Sequence, residues 1–382
     1  MTKEQHAIDE KIINPVRSLV ESCIQGNPPV IILGSGASAP YGIHTMDQLA
    51  DHIIATVEDA GVDEEDQGQW DKFKESIKST GNLERSLEII ENSPNLMKDV
   101  SYNTWKVISD QDASVFKKLI NEEETLGLSD LIKIVSNGHS NNKPIEIITT
   151  NYDRLAEYAC DTIEDSYNEY LHYTGFSYGL VRKPDEAPKS SSYNMHRRAW
   201  SKFDLTNISK IKPVEILKVH GSIDWFEYQD NRVVAIPTIG VKPKDTVPAI
   251  ITPGNKKYRQ THLHPYSMIL SRTREALDEA SSYFTIGFGF RDEHVHSNLE
   301  RKLKKSSGQK TFVVLAKELT QETKGLFLSE GNTHRFALFE QDGDNTRIYF
   351  RDSNYKPEDP IIIENTAFWD LKEFIKFFLV GR

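Results

Sequence analysis

Three polar residues of types that could bind a ligand or transfer a proton follow short apolar runs in this sequence: Asn151, Asp153 and His220. Asn151 and Asp153 end the segment KPIEIITTNYD (143–153), and His220 lies in VEILKVHGSIDW (214–225). Both apolar runs are typical of buried strands, and open α/β sheets bind ligands beyond the carboxyl ends of their strands. Histidine transfers protons near neutral pH, so His220 is a candidate general base.

Each of these residues also has a structural interpretation. Thr, Asn and Asp are good helix caps, and the pattern from Leu155 onward is helical, so Asn151 or Asp153 could cap a helix, face a ligand, or do both. A histidine that ends a strand is also compatible with a purely structural hydrogen bond. The residue types alone leave these alternatives open.

A glycine-rich turn would position a ligand near these residues. The segment PPVIILGSGASAPYG (28–42) has a four-residue apolar strand followed by Gly34 and Gly36 in a G-x-G-x-x-A spacing. Glycines at this place allow a sharp turn and close approach to phosphate groups, and a helix beginning near Ser38 would direct its N–H groups to the same point. A tight strand-to-helix turn without a ligand explains the pattern about equally well. The segment YFTIGFGF (283–290) repeats the arrangement with Gly287 and Gly289.

The elements that carry these turns predict an α/β fold, with a Rossmann-like parallel sheet and helices on both faces. One catalytic domain would span 1–382, with its core at about 28–57, 143–158 and 214–350. A helical insertion is predicted for 58–142, where the acidic stretch 58–72 resembles an exposed loop. A second, loop-rich insertion at 160–213 could close over the site. A C-terminal helix is predicted for 365–382, capped by Asn365 or Thr366, and its aromatic stripe would be core or an oligomer contact.

Composition excludes several classes of function. The chain has 382 residues, a net charge of −11 and 27% charged residues, which is typical of a globular protein and argues against a large nucleic-acid footprint. Two cysteines cannot build a disulfide framework or a four-thiolate zinc site, and no His, Cys and carboxylate spacing indicates a metal. Without an apolar signal core or a run of about 18 apolar residues, we expect a cytoplasmic protein with no membrane span.

Taken in order, GSGAS, TTNYD, KVHGS and IGFGF resemble the motifs of the sirtuin family (silent information regulator-like proteins). Those motifs are a GAGxS loop, a TQNxD strand end, a strand-end HG and a later G-x-S turn. The resemblance touches four strand ends between residues 30 and 290. Four motifs in the correct order are far more specific than any one of them.

The sequence departs from the family pattern in three respects. The four-cysteine zinc module of sirtuin deacylases is missing, Thr150 replaces the glutamine of TQN, and GIHTMD (42–47) replaces GIPDFR, so the usual arginine is lost. The chain is more similar to bacterial sirtuin-like effectors of anti-phage defence, which consume NAD⁺ rather than deacylate proteins. By that resemblance we expect a homo-oligomer that assembles with a HerA-like hexameric ATPase and cleaves NAD⁺ to deplete the cell in abortive infection.

The resemblance also assigns residues. Asn151 would bind the nicotinamide ribose and position water, Asp153 would order that pocket, and His220 would act as general base. The residues that would contact the rest of NAD⁺ come from the four turns: Gly34, Ser35, Gly36, Ala37, Ser38, Thr150, Gly221, Ser222, Gly287 and Gly289. A protein deacylase, a non-catalytic NAD or ADP-ribose sensor and a nuclease subunit are the rival functions. The strand-end Asn and His favour catalysis over sensing, and the acidic net charge disfavours the nuclease.

Overall fold

The structure is a computed structural model that describes residues 10–81, 83–138, 143–177, 179–184, 211–238, 240–250, 264–305, 308–329, 331–353, 357 and 359–380. Its contacts divide the chain into two compact units. Unit 1 comprises Met1–Gly36, Leu126–Ile147 and Arg274–Arg382, and unit 2 comprises Ala37–Thr125 and Ile148–Thr273. Helices alternate with strands from 266 to 342, which is the element pattern of an α/β protein.

The strands, in chain order, are β1 (Val30–Leu33), β2 (Ile145–Thr149), β3 (Glu169–Tyr173), β4 (Ile211–Lys218), β5 (Gly221–Tyr228), β6 (Val233–Ala235), β7 (Thr246–Ile250), β8 (Ser282–Ile286), β9 (Thr311–Leu315), β10 (Arg335–Asp342), β11 (Asn345–Arg351) and β12 (Ile361–Ile363). The helices are α1 (Glu10–Gln25), α2 (Ser35–Ser38), α3 (Met46–Ala60), α4 (Gln67–Thr80), α5 (Leu83–Leu87), α6 (Pro94–Ile120), α7 (Gly127–Asn137), α8 (Leu155–Asp161), α9 (Tyr266–Glu279), α10 (Glu293–Lys305), α11 (Gln321–Phe327) and α12 (Leu371–Phe374).

Unit 1 is built on a sheet dominated by parallel strands, in the order β12-β11-β10-β9-β8-β1-β2. The pairs β1–β8, β8–β9 and β9–β10 are parallel, whereas β11 pairs antiparallel with both β10 and β12. Every residue of β1, β8 and β9 is buried, as expected for parallel strands covered on both faces. The prediction of an α/β fold with a Rossmann-like, mostly parallel sheet flanked by helices is confirmed.

The glycines that follow β1 and β8 allow these two strand ends to approach each other closely. The amide of Gly34 donates to the Ile286 carbonyl and that of Gly36 to the Gly287 carbonyl, both at 3.1 Å. A Cβ atom on Gly34 would lie 2.4 Å from the Gly287 oxygen, so no larger residue fits there. Since β1 lies between strands that come later in the chain on both sides, these glycines mark a switch point of the sheet.

Unit 2 contains the end of β2 with β4 and β3, and a separate three-stranded sheet in the order β6-β5-β7. Strand β4 pairs parallel with β3, and a two-residue turn connects β4 to β5. The long helix α6 packs on this unit, where the Trp105 indole donates to the Ile223 carbonyl at 2.8 Å. The predicted hairpin at 226–236 is confirmed, since β5 and β6 pair antiparallel.

Two local predictions are wrong. Residues 58–60 and 67–72 are helical rather than loop, since 58–60 end α3, and Trp70 is completely buried and stacks on Phe73 in α4. The C-terminal helix is capped by Asp370 rather than by Asn365 or Thr366. A helix near Ser38 is present as a single turn over Ser35–Ser38, and the long helix begins at Met46, which Thr45 caps.

The boundaries predicted for the two insertions remain predictions. The described part of 58–142 is helical, although its segments fall into both units. Half of 160–213 lies outside the described residues, and the described half includes the end of α8 and β3. After α12 the C-terminal helix continues as a π-helix over Ile375–Val380. Its aromatic stripe is core, because Phe374 and Phe378 are buried and Phe374 packs edge-on against Phe284.

Candidate active site

The turn after β2 joins two predicted site residues through a third. The Asn151 side-chain amide donates to the Ser38 hydroxyl oxygen at 3.0 Å, and the Ser38 hydroxyl donates to a carboxylate oxygen of Asp153 at 2.7 Å. All three side chains are buried. The sequence placed Ser38 against a diphosphate, whereas the structure places its hydroxyl between Asn151 and Asp153. Spacing could not show this, because Ser38 and Asp153 lie 115 residues apart.

Asp153 has the capping contact that the sequence offered as one interpretation, and its contact with a ligand stays a prediction. Its second carboxylate oxygen accepts the N–H of Leu155 at 3.1 Å, so it caps the start of α8. Asn151 does not share this capping bond; its own N–H donates to the Thr149 hydroxyl at 3.0 Å. Asp153 is therefore fixed at both oxygens, one by the helix and one by Ser38.

Burial raises the pKa of Asp153 from 3.8 to about 6, because loss of hydration outweighs the Lys218 charge and the Ser38 hydrogen bond, which both lower it. A carboxyl group whose pKa is raised by folding favours the folded state below its ordinary pKa, and that contribution is lost as the pH rises through about 6. At neutral pH the ionised group therefore costs stability. A buried carboxyl group with a shifted pKa is typical of a functional site.

This pKa predicts the pH dependence of any reaction that needs the Asp153 carboxylate. The rate should be constant above about pH 7 and should fall about tenfold per pH unit below about pH 6, as the carboxylate takes up a proton. The measurement is initial rate against pH with saturating NAD⁺, with circular dichroism at each pH to show that the protein stays folded. A constant rate from pH 7 down to 4.5 on folded protein would remove the Asp153 carboxylate from the mechanism.

The turn that carries His220 is tied to the turn that carries Asn151. The Val219 amide donates to the Thr149 carbonyl at 3.1 Å, and the Ile223 amide donates to the Tyr152 carbonyl at 3.0 Å. The Ser222 hydroxyl also contacts the Tyr152 carbonyl, at 3.3 Å. His220 is buried, with 3% of its surface exposed. The structure thus places the turn that carries His220 beside the Asn151–Asp153 turn.

Gly221 and Ser222 have structural reasons for their positions. Gly221 has a φ of +84°, and a Cβ atom there would lie 2.3 Å from the Ala249 carbonyl oxygen. The Ser222 side chain is completely buried. Their contact with a ligand stays a prediction, as does that of the half-buried Thr150.

The predicted diphosphate loop belongs to unit 1 as far as Gly36. The Gly34 and Gly36 amides donate to protein carbonyl groups, so the glycines serve the approach of β1 to β8. Ser35 and Ala37 are partly exposed, as are Gly287, with a φ of +56°, and Gly289. The Gly289 carbonyl accepts the Thr320 hydroxyl at 2.6 Å. Ligand contacts of this loop remain a prediction.

Sequence reasoning missed a buried ion pair behind the Asn151–Asp153 turn. The Asp112 carboxylate, on α6, accepts the Arg154 backbone N–H at 2.8 Å and its guanidinium at 2.5 Å, and the Tyr158 hydroxyl at 2.7 Å. Burial has the largest single effect on the pKa of Arg154 and lowers it, but the Asp112 charge and hydrogen bond, together with the charges of Tyr158 and Asp224, raise it more, so the net shift is upward. Burial raises the pKa of Tyr158 far above its ordinary value, which keeps the hydroxyl a donor. No local pattern marks Asp112, since its partners lie more than 40 residues away.

A second missed residue is Lys218, which is completely buried two residues before His220. Its ammonium donates to the Asp153 carbonyl and to the Glu157 carboxylate, the latter at 2.9 Å. Lys218 stands between Leu217 and Val219 in a predicted buried strand. This position indicates a paired lysine, because lysine is almost never fully buried unless it is paired.

No group of three or more His, Cys, Asp or Glu residues suited to a metal occurs within the part of the chain that the structure describes. No helix in that part is long and apolar enough to cross a membrane.

The fold and the residues after β2 and β4 define an α/β protein whose candidate site lies at strand ends. The sequence model of the SIR2-like domain matches residues 145–336, half of the chain. The chain belongs to the SIR2-like domain family. That match contains Asn151, Asp153, Lys218 and His220.

Solved structures of low sequence identity resemble the chain. They include a mutant Sir2 homologue with ADP-ribose (14% identity, 83% of this chain, 88% of that one, TM-score 0.40) and a Sir2 homologue–NAD complex (13%, 80%, 84%, 0.39). Sir2Tm bound to a propionylated peptide is similar at 12% identity, with 82% of this chain, 89% of that one and a TM-score of 0.39. No curated protein matches the sequence.

Proposed function

We propose that this protein is an NAD⁺ hydrolase. It would cleave the bond between nicotinamide and ribose, so that NAD⁺ and water give nicotinamide, ADP-ribose and a proton. NAD⁺ would be the substrate, and the proposal includes no metal. The proposal is supported by membership of the SIR2-like family and by the strand-end Asn and His that suit cleavage at the ribose.

One observation carries the proposal: the buried series of hydrogen bonds from Asn151 through Ser38 to Asp153, fixed beside the His220 turn. An N-glycosidic bond breaks through an oxocarbenium-like centre, which needs an oriented ribose and a positioned water. Preorganised polar groups stabilise such a centre because they do not have to reorganise during the reaction. Hydride transfer to nicotinamide needs neither a general base nor a bound water at the ribose.

The residues then have distinct roles. Asn151 would bind the nicotinamide ribose and the attacking water, held in place by Ser38. The Asp153 carboxylate would fix the Ser38 hydroxyl and favour positive charge in the pocket. His220 would take a proton from water or from a ribose hydroxyl. The loop from Gly34 to Ala37, with Gly287 and Gly289, would approach the diphosphate and the adenosine ribose.

The biological role follows from the resemblance of the motifs. We propose that the protein acts on cytoplasmic NAD⁺ in anti-phage defence, as a homo-oligomer assembled with a HerA-like ATPase, so that infection leads to NAD⁺ depletion. Direct binding of nucleic acid or membrane is not part of the proposal. The net charge of −11 agrees with a protein that does not bind nucleic acid over a large surface.

The test is to incubate the purified protein with NAD⁺, alone and with the ATPase encoded beside it, and to separate the products by liquid chromatography. Equal amounts of nicotinamide and ADP-ribose are expected. A parallel incubation with an acetylated peptide would give O-acetyl-ADP-ribose only if the protein deacylates. No product under any condition would overturn the proposal and favour a sensor.

A further inference from the structure

Lys218 has a position that packing does not explain. Its side chain is completely buried at the end of β4, and its ammonium contacts the main-chain carbonyl of Asp153 and the Glu157 carboxylate. Glu157 lies in the first turn of α8, and 8% of its surface is exposed. The ammonium thus joins β4 to the turn that carries Asn151 and Asp153.

Burial of such a pair is a poor way to gain stability. Removing an ammonium and a carboxylate from water costs several kcal/mol each, and replacing buried ion pairs with apolar residues is often neutral or stabilising. An apolar residue at 218 would continue the run of Ile216 and Leu217, which are both buried. The buried ammonium of Lys218 therefore needs an explanation other than the stability of the folded protein.

The charges that face the Asp153 carboxylate in the described residues come from several elements. The Lys218 ammonium on β4 lowers the pKa of Asp153, and the Asp112 carboxylate on α6 raises it. The Arg154 guanidinium is bound to Asp112, and the Glu157 carboxylate on α8 is bound to Lys218. Lys218 is the nearby cation whose contact with Asp153 is direct, since it binds the carbonyl of that residue.

We propose that Lys218 is a positioning residue of the reaction, holding the Asn151–Asp153 turn through the Asp153 carbonyl and keeping the neighbouring carboxylate ionised by its charge. This inference rests on the proposed NAD⁺ hydrolase function. Glu157 holds the ammonium in place and reduces its effect on Asp153. Two opposite pH effects follow for substitutions of these two residues.

In Lys218→Met, which keeps the length of the side chain and removes its charge, we expect kcat to fall about 10²-fold because the turn is misplaced. The acid limb of the rate profile should also move to higher pH by about 1 unit or more, because an opposite charge close to a carboxylate lowers its pKa by that amount. In Glu157→Gln, the uncompensated ammonium should move the acid limb to lower pH. A purely structural role of Lys218 would lower activity without moving the acid limb of the rate profile in either variant.

The matched control is Glu215→Gln, on the same strand, whose ion pair with Arg272 (2.7 Å) is partly buried. It should leave the acid limb unchanged.

Failure of the proposed function is recognised separately, since wild-type protein would then not cleave NAD⁺. In that case the pKa of Asp153 is read directly from the ¹³C carboxyl signal of labelled protein, assigned with Asp153→Asn. If Lys218→Met does not fold, Glu157→Gln decides. An acid limb or carboxyl pKa that moves in neither variant overturns the proposal.

Discussion

Replacing His220 with alanine is expected to lower NAD⁺ turnover by about 10²–10⁴-fold, the range that a general base contributes, while NAD⁺ binding stays measurable. The substitution removes a buried side chain in the β4–β5 turn. The turn itself is held by main-chain hydrogen bonds from Val219 and Ile223, which alanine leaves in place. The measurement is nicotinamide release at saturating NAD⁺, together with NAD⁺ binding by calorimetry.

His172→Ala is the matched control, because it removes another histidine of unit 2 that pairs with Asp161 at 3.1 Å. We expect its turnover to remain within a few-fold of wild type. A His220→Ala variant with normal turnover would remove His220 from the mechanism. Loss of binding together with turnover in His220→Ala would also contradict a role in the chemical step.

The second large effect is on stability: Asp112→Ala should lower the free energy of unfolding by about 3–5 kcal/mol. The substitution leaves the Arg154 guanidinium, 6% exposed, without its buried counter-charge and removes the acceptor of the Tyr158 hydroxyl. Urea unfolding followed by tryptophan fluorescence measures this effect, since Trp105 on the same helix and Trp225 report on unit 2.

Asp110→Ala is its control on the same helix, where Asp110 pairs with Lys106 at 2.6 Å with half of each side chain exposed. Exposed pairs four residues apart on a helix contribute about 0.3–0.5 kcal/mol. An Asp112→Ala variant no less stable than Asp110→Ala would show that the buried pair does not stabilise the Asn151–Asp153 turn. That result would also contradict the arrangement of Arg154 described above.

The parts of the site that the sequence predicted depend on residues that are close together in the chain. A short apolar run followed by Asn151 and Asp153, or by His220, identifies a strand and its carboxyl end without knowledge of the partner strands. The parallel sheet then places such ends at one edge. Local order was misleading at 67–72, where the acidic residues suggested a loop although Trp70 and Phe73 have helical spacing.

The parts that the sequence did not predict depend on pairs distant in the chain. Ser38 meets Asp153 across 115 residues, Lys218 meets Glu157 across 61, and Asp112 meets Arg154 across 42. Each partner is a common residue in an ordinary local pattern, and only the packing of α6, α8 and β4 brings them together. Ser38 shows the consequence most clearly, since its motif suggested a phosphate contact and the fold places it between two polar residues of the site.

The most direct test of NAD⁺ hydrolysis is the reaction in water enriched in ¹⁸O, followed by mass spectrometry of the products. Attack of water at the ribose predicts nicotinamide without label and ADP-ribose with one ¹⁸O atom, and neither product is expected from Asn151→Ala at more than a small fraction of the wild-type rate. Absence of nicotinamide release, or release without incorporation of ¹⁸O into ADP-ribose, would contradict hydrolysis by this protein.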